Sequence, residues 1–477
     1  MLPRALGGGR RAPVRGDGSS ALPAALVLVA TVVTVVGSLG APLVPTVADA
    51  YDVPVPDAQW SLTLPVLVGA VATPVLGRLG DGPHRRTVVL AVLTVVAAGS
   101  VLAALPLDLG WLLAGRALQG VGLGLTPLTI AVARDALTGE RAQRAAAALS
   151  ITTVAGVGLG YPLAGWITQG WGLHAAFGCG AVLAAVVVVV AALVLPPASR
   201  ASRRPLDLPG ALLLGGGLGS ALVLLAEGGD LGWTSTPALA LAASAVALGG
   251  WFVARELRVP APLVDLRQAR QAGALVGHTT ALLAGVANYV LLTVVTIIAQ
   301  APVSSGHGFA VPVVVSGLLL LPFSLGSLLA GRLVRDLDRP SGPGSALTVG
   351  AAVTATAFLW LLTGPERLWE LFALMALAGT GIGGTYAVMP RLLFAVVPPE
   401  DTGSAMGLNQ VLRYVGFATG SALSAGVLAA ATEPGARLPS AAGYTAVSAV
   451  GCATCLAAAV LAGGLTLRAA RRRQPAG

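Results

Sequence analysis

The stretch at 58–106, AQWSLTLPVLVGAVATPVLGRLGDGPHRRTVVLAVLTVVAAGSVLAALP, holds two apolar runs, 58–80 and 87–106, with the turn GRLGDGPHRR (77–86) where they meet. Each run is close to the roughly 20 residues that an α-helix needs to cross a hydrocarbon core of about 30 Å. Apolar residues follow one another without the polar alternation of a membrane β-strand, so helices are implied and barrel strands are excluded. Gly77, Gly80, Gly82 and Pro83 supply the chemistry of a tight turn, and Arg78, Arg85 and Arg86 make that turn positive.

The same pattern recurs along the chain. Runs at 22–44, 58–80, 87–106, 109–133, 145–170, 175–196, 208–227, 235–254, 273–300, 309–331, 346–363, 368–390, 404–430 and 442–467 predict fourteen membrane spans. Of the 477 residues 55% are hydrophobic and 10% charged, with a mean hydropathy of +0.83. A soluble protein carries about 25% charged residues. Lipid is the solvent this composition suits, and a soluble enzyme is excluded.

The net charge of +9 comes from 29 basic residues, all arginine. They stand in short bursts between apolar runs, as in cytoplasmic loops that follow the positive-inside bias, and not in the basic groove with interleaved aromatics that nucleic acid requires. With fourteen spans and a cytoplasmic N-terminus, 25 arginines fall inside, Arg367 and Arg437 outside, and Arg116 and Arg413 within spans. Eleven acids fall inside, nine outside, and none in mid-membrane.

Residues 1–20, with Arg4, Arg10, Arg11 and Arg15 among Gly, Pro and Ser, are expected to be a disordered cytoplasmic tail. The run that follows is longer than a secretory h-region and is read as a retained span. Cys179, Cys452 and Cys455 all lie in apolar runs. The C-x-x-C at 452–455 has no nearby Cys or His to complete a metal site and reads as small packing residues. No metal or cofactor is predicted.

Features recur in the same order in the two halves. GRLGDGPHRR (77–86) is echoed by GRLVRDLDRP (331–340), RALQGVGLGLTP (116–127) by LAGTGIGGTY (377–386), and GVGLGYPLAG (156–165) by GFATGSALSAG (416–426). Such repetition suggests a duplicated bundle. These stretches resemble the major facilitator superfamily, in its fourteen-span drug:proton antiporter branch, from about residue 22 onward. Gly77, Leu79, Asp81, Arg85 and Arg86 match the family loop between spans two and three, whereas Gly82 and His84 depart from it. Arg116, Gln119, Gly120 and Gly122 match the span-four pattern. Trp60 and Thr63 fit the start of span two, with Pro65 in place of Tyr. Residues 208–254, with the turn EGGDLGW (227–233), fit the branch's two inserted helices, and APLVDLR (261–267) its lead into the second half.

The resemblance implies an all-α polytopic membrane protein of two six-helix bundles plus two inserted helices. Its parts would be a tail (1–20), a first bundle (21–197), the insertion (198–256), a second bundle (257–468) and a second tail (469–477). It implies a monomer exporting lipophilic small molecules in exchange for protons, while the all-Arg, Ala/Val/Gly-rich composition points to a GC-rich bacterial genome and so to the plasma membrane, and the charge distribution to cytoplasmic termini. Gly77, Asp81, Arg85, Arg86, Arg134 and Arg141 would form a conformational gate, with Arg134 or Arg141 as partner of Asp81. For Arg85 and Arg86 a purely topogenic role stands open beside gating.

Gly156, Gly160, Pro162 and Gly165 form a helix-packing motif of small residues. Tyr161 and Trp166 replace two glycines of the antiporter signature, so the match is partial. Cavity-lining or coupling residues implied by the family are Thr34, Ser38, Arg116, Gln119, Thr126, Asn288, Tyr289, Thr380, Thr385, Tyr386, Asn409, Gln410 and Arg413. Intramembrane charges usually face a protein interior or water, although snorkelling to the surface is open for Arg116 and interfacial anchoring for Arg413. Val36 stands where the branch has Asp in its first span, which leaves Asp135, Asp207, Glu227 and His278 as proton-carrying candidates. A sparse set of polar groups in an apolar cavity suits a lipophilic or amphipathic solute.

Two other readings remain. One is a facilitator or importer of an anionic solute attracted by Arg116. The other is a membrane enzyme, scaffold or sensor, which no soluble domain, histidine cluster or acid cluster supports. A G-x-x-x-x-G-K-[ST] loop is absent, which argues against ATP-driven transport by this chain alone.

Overall fold

A computed structural model describes residues 21–40, 43–196, 205–306, 308–341, 343–432 and 439–473, and among them every regular element is helical. The expected tail 1–20, most of the linker at 197–207, Arg437 and the end of the second tail lie outside the described residues.

The first half runs α1 (Ala21–Ser38), α2 (Val44–Tyr51), α3 (Val55–Gly80), α4 (Arg85–Ala104), α5 (Leu109–Val121), α6 (Leu125–Ala136), α7 (Gly139–Trp171) and α8 (Leu173–Val194). Next comes the hairpin α9 (Leu208–Leu231) and α10 (Thr236–Glu256). The second half runs α11 (Leu266–Ala269), α12 (Ala272–Gln300), α13 (Val313–Leu318), α14 (Leu320–Ser341), α15 (Pro343–Leu362), α16 (Leu368–Phe394), α17 (Thr402–Ala430) and α18 (Ala441–Arg473).

Twelve described helices are long and apolar enough to cross a membrane. A thirteenth is α7, whose parts Gly139–Thr152 and Val154–Trp171 are bent by 41°. The expected span at 109–133 is split into α5 and α6 by a 3-10 turn at Gly122–Gly124, and neither piece is long enough alone. Glycine there relaxes the α-helical ladder, and the chain continues in helical geometry on both sides. The first expected span, 22–44, is also shorter than predicted: α1 stops at Ser38, and the short α2 follows.

Two apolar cores are the largest in the bundle. One joins Leu26, Val33, Leu93, Leu128, Leu149 and Ala184 of the first half, and the other joins Leu291, Phe323, Phe358, Leu374 and Val447 of the second. Outside them large apolar side chains are bare, such as Leu193 at 80% and Val460 at 73% exposure, which only a lipid solvent explains. Trp111, Trp166, Trp171, Trp233 and Trp369 are exposed at the end of the bundle opposite the 77–86 turn, as an aromatic belt at a membrane interface would be.

The hairpin packs on the outside of the bundle. Gly217 of α9 lies against the backbone of Gly249 in α10, and Gly215 faces Val71 of α3, each with room for no more than a tight Cβ contact near 3.0 Å. At its foot Asp207 caps the first turn of α9 and is clamped by Arg255 at 2.8–3.2 Å, which holds its carboxyl below the usual range. Glu256, buried beside this pair, accepts the Val264 N–H at 2.9 Å and ties the hairpin to the segment leading into the second half.

Candidate functional site

α17 begins at Thr402 with free N–H groups and no side-chain cap from its own Asp401. A helix start carries partial positive charge and unsatisfied donors. Asp81, which ends α3, supplies what is missing. Its Oδ1 accepts the Gly403 N–H at 2.6 Å, and its Oδ2 accepts the Ser404 N–H at 3.0 Å together with the Ser404 hydroxyl. The carboxylate is 1% exposed. Burial pushes its pKa up to about 6, against the opposing pull of the three donors.

The approach is close because both helices are bare of side chains there. A Cβ on Gly77 would lie 2.5 Å from the Gly403 carbonyl oxygen, and a Cβ on Gly403 would fall on the Gly77 carbonyl. Here glycine is required by contact between two backbones.

The expected partner of Asp81 is thus corrected. Neither Arg134 nor Arg141 reaches it. Arg141 is exposed. Arg134 crosses to the other half, donating to the Phe394 and Val397 carbonyls at 3.0 Å and to Thr402 Oγ1 at 2.8 Å, with its guanidinium 4.1 Å from the Phe394 ring centre. It closes the end of α16, where carbonyls lack helical partners. Arg85 and Arg86 stay within the first half. Arg85 pairs with Asp135 at 3.0 Å and donates to the Gly80 carbonyl, while Arg86 donates to the Ala192 carbonyl at 2.6 Å.

Arg413 is 1% exposed, so the anchoring reading does not hold. From α17 it reaches across the halves to Ser150 of α7, with Nη1 3.1 Å from the carbonyl and Nη2 2.6 Å from the hydroxyl. Asn409 Oδ1 accepts at 3.2 Å, and the ring of Tyr386 lies 4.0 Å from the guanidinium. Asn409 in turn donates to the Gly277 carbonyl at 3.2 Å.

Arg116, at 0% exposure, neither snorkels nor points into open space. Nε donates to the Ser61 carbonyl at 2.8 Å, Nη2 to Gly37 at 2.7 Å, and Nη1 to Val36 at 3.1 Å and Gln119 Oε1 at 2.5 Å. Gln119 hands the chain on to Ser100 at 3.1 Å. One guanidinium therefore binds α1, α3 and α5, with α4 reached through Gln119. Val36, the position without the branch's acid, contributes its carbonyl.

The glycines of α7 serve two partners. Gly156 and Gly160 abut Thr34 and Ser38 of α1, and Gly158 abuts Leu320 and Ser324 of α14. Gly165 is not needed for contact: the nearest atom to an added Cβ is Val314 Cγ2 at 3.9 Å. Pro162 lies inside the second part of α7, Val154–Trp171. Thr34, Ser38, Thr380 and Thr385 bond back to their own helices, and Thr126 is buried. Asn288 Oδ1, the Tyr386 hydroxyl and Gln410 Nε2 are buried with no hydrogen-bond partner.

Above the closed end α3 and α17 diverge, and a 660 Å³ cavity opens between them, α9 and α12. Tyr289 and Phe417 stack at its inner side with ring centres 4.7 Å apart. A smaller cavity of 290 Å³ at the arginine-rich end is lined by Arg78, His278, Asp401 and Ser404. Of the proton-carrying candidates, His278 alone touches either cavity. Asp135 is paired with Arg85, Asp207 with Arg255, and Glu227 lies within α9, near its end opposite the 77–86 turn. Sequence reading missed Gly403, Ser404 and Phe417. The run PEDTGSAMG (399–407), a Thr-Gly-Ser start to a span, is the signal that could have exposed the first two.

The family profile described as Major Facilitator Superfamily matches residues 26–421. The chain belongs to the major facilitator superfamily. Its members here are transporters and not enzymes, and the chain is a multi-pass membrane transporter. It is similar to the multidrug resistance protein Stp of Mycobacterium tuberculosis, 26% identical over 78% of this chain and 68% of that one. It is also similar to the lincomycin resistance protein of Streptomyces lincolnensis, 29% identical over 83% and 81%. The human organic anion transporter MFSD10 has the same fold, with a TM-score of 0.66 at 18% identity, over 93% of this chain and 99% of that structure. In a major facilitator transporter of this kind, contacts between the halves at one end and a cavity at the other are what alternating access consists of.

Proposed function

We propose that this transporter exports lipophilic small molecules in exchange for protons, as a monomer in a bacterial plasma membrane. In this reading both termini and the arginine-rich turns are cytoplasmic, and α5 and α6 together make the fourteenth span. The conformation is closed to the cytoplasm and open to the outside. One observation carries this reading: Asp81 caps α17 across the halves at the arginine-rich end, while the same two helices part at the other end around 660 Å³.

Arg134 and Arg413 act in the same sense, since each bonds across the halves. All three ties must break for the cytoplasmic end to open. Export of antibiotics or other lipophilic compounds is favoured by the cavity's apolar walls and by the similarity to multidrug and lincomycin resistance proteins. Import of an anionic solute drawn by Arg116 has less support, because that guanidinium is engaged by protein carbonyls.

The test is accumulation of lipophilic fluorescent compounds in a pump-deficient bacterial host, with and without a collapsed pH gradient. Lower accumulation with the wild type, abolished by the collapse and by Asp81→Asn, is expected. Equal accumulation of every compound with and without the protein would sink the export reading.

A further inference from the structure

α3 and α17 touch through Gly77 and Gly403 and separate toward the far end. The gap between them is not filled by the six-helix bundles. It is walled by α9, the first helix of the inserted hairpin, which presents Leu222, Val223, Leu225 and Ala226 to it. The last turn of α9 brings Asp230 to the rim, and the turn that follows brings Trp233. The Trp233 ring is held against Gly228, where a Cβ would meet it at 2.7 Å.

The chemistry of this lining is one-sided. Among the described residues Asp230 is the single carboxylate of the lining and is exposed, and none of the lining residues is an arginine. Three of the lining residues, Trp233, Tyr289 and Phe417, are aromatic. Tyr289 and Phe417 lie nearly parallel, 24° apart, and so offer a flat face. Gln59 and Thr63 of α3 and Ser421 of α17 add neutral polar groups. Aromatic faces attract cations and planar rings, a carboxylate at the rim supplies the counter-charge, and the volume is that of a small-molecule site.

We propose that the wedge between α3 and α17, closed on its lipid side by α9, holds a flat aromatic cation, with Asp230 as counter-ion and the Tyr289–Phe417 pair as stacking face. This rests on the export reading and deepens it by naming the substrate class and by giving the inserted hairpin a share in the site. Switching to the inward-open state would draw α3 and α17 together at the outer end and empty the wedge to the outside.

The experiment uses the full chain in lipid nanodiscs and ethidium, a planar aromatic cation, followed by fluorescence polarisation. Saturable binding is expected, weakened about tenfold or more by Asp230→Asn or Phe417→Ala and restored by Asp230→Glu. Fluorescein, planar and anionic, is expected to bind far more weakly. In a Ser421→Cys variant ethidium should slow labelling by a charged maleimide, with wild type as the background for the native cysteines. Three results each overturn the proposal: ethidium binding that is unsaturable or indifferent to Asp230→Asn, fluorescein binding as tight as ethidium, or Ser421→Cys labelling unaffected by ethidium. Absence of binding in a protein that still lowers drug accumulation removes this site and leaves export standing. Binding without any effect on accumulation does the reverse.

Discussion

Asp81 and Ser404, 323 residues apart, share two hydrogen bonds at the arginine-rich end, one to the Ser404 amide at 3.0 Å and one to its hydroxyl. A loop residue of one half thereby becomes the helix cap of the other. Hydrogen bonds to a charged group contribute about 1.5–3 kcal/mol each. The pair, with the Gly403 amide as third donor, outweighs most single contacts between the halves.

Asp81→Asn keeps the shape but turns one acceptor into a donor facing the Ser404 N–H. The ratio of states closed at the arginine-rich end to states open there should fall about tenfold or more. Spin labels at His84→Cys and Glu400→Cys, both exposed positions at that end, should report longer distances. An unchanged distance distribution would show that Asp81 does not hold the closure.

The pH response of that closure has a definite sign. Asp81 has a pKa of about 6 in the closed end against an ordinary 3.8, owing first to burial. An acid whose pKa rises on closing takes up a proton as the end closes, in the window between those two values. Closing is therefore favoured as pH falls from about 6 toward 3.8, and gains nothing from this group above about 6. The same spin-label pair should show the closed population growing on acidification in that window, and Asp81→Asn should remove the growth. A closed population that shrinks on acidification would contradict the assignment.

Gly403→Ala places a methyl group on the Gly77 carbonyl and 2.8 Å from Asp81 Oδ1. Neither backbone has slack, so the closed end should be forced apart and transport lost while the protein still inserts. Gly250→Ala on α10, where an added Cβ meets nothing within 4 Å, should behave as wild type. Full efflux by Gly403→Ala would mean that the close backbone contact is not needed.

Arg116→Ala leaves the carbonyls of Val36, Gly37 and Ser61 without their donor. Each buried carbonyl left unsatisfied costs about 1–3 kcal/mol. A lower yield of folded protein and a fall in thermal stability in detergent are expected, with Arg116→Lys in between. A stable Arg116→Ala protein with altered solute preference would instead make Arg116 a substrate residue.

Much of the architecture was legible one segment at a time. A spanning helix satisfies its own backbone hydrogen bonds, so a run such as 175–196 declares itself without reference to any other, and the helix found there is Leu173–Val194. Arg85 and Asp81 could be placed at one membrane face because topology follows local charge. The interruptions were harder to see. Gly122–Gly124 breaks a span, yet its glycines read equally well as close packing. Ser38 ends the first helix just before Gly40 and Pro42, a stop signal that the apolar residues on both sides of it hid.

The partners of the charges were not legible, because a guanidinium with five donors suits a carboxylate, a carbonyl, a ring or a solute equally well. Sequence by itself determined that this chain is a set of apolar helices with arginines gathered at one face, since lipid solvation acts on each helix separately. Only the tertiary structure decided that Asp81 caps α17, that Arg116 bonds to carbonyls, and that α9 walls a wedge beside α3. Those facts depend on how two halves lean on one another, and that angle is set by contacts between residues hundreds of positions apart.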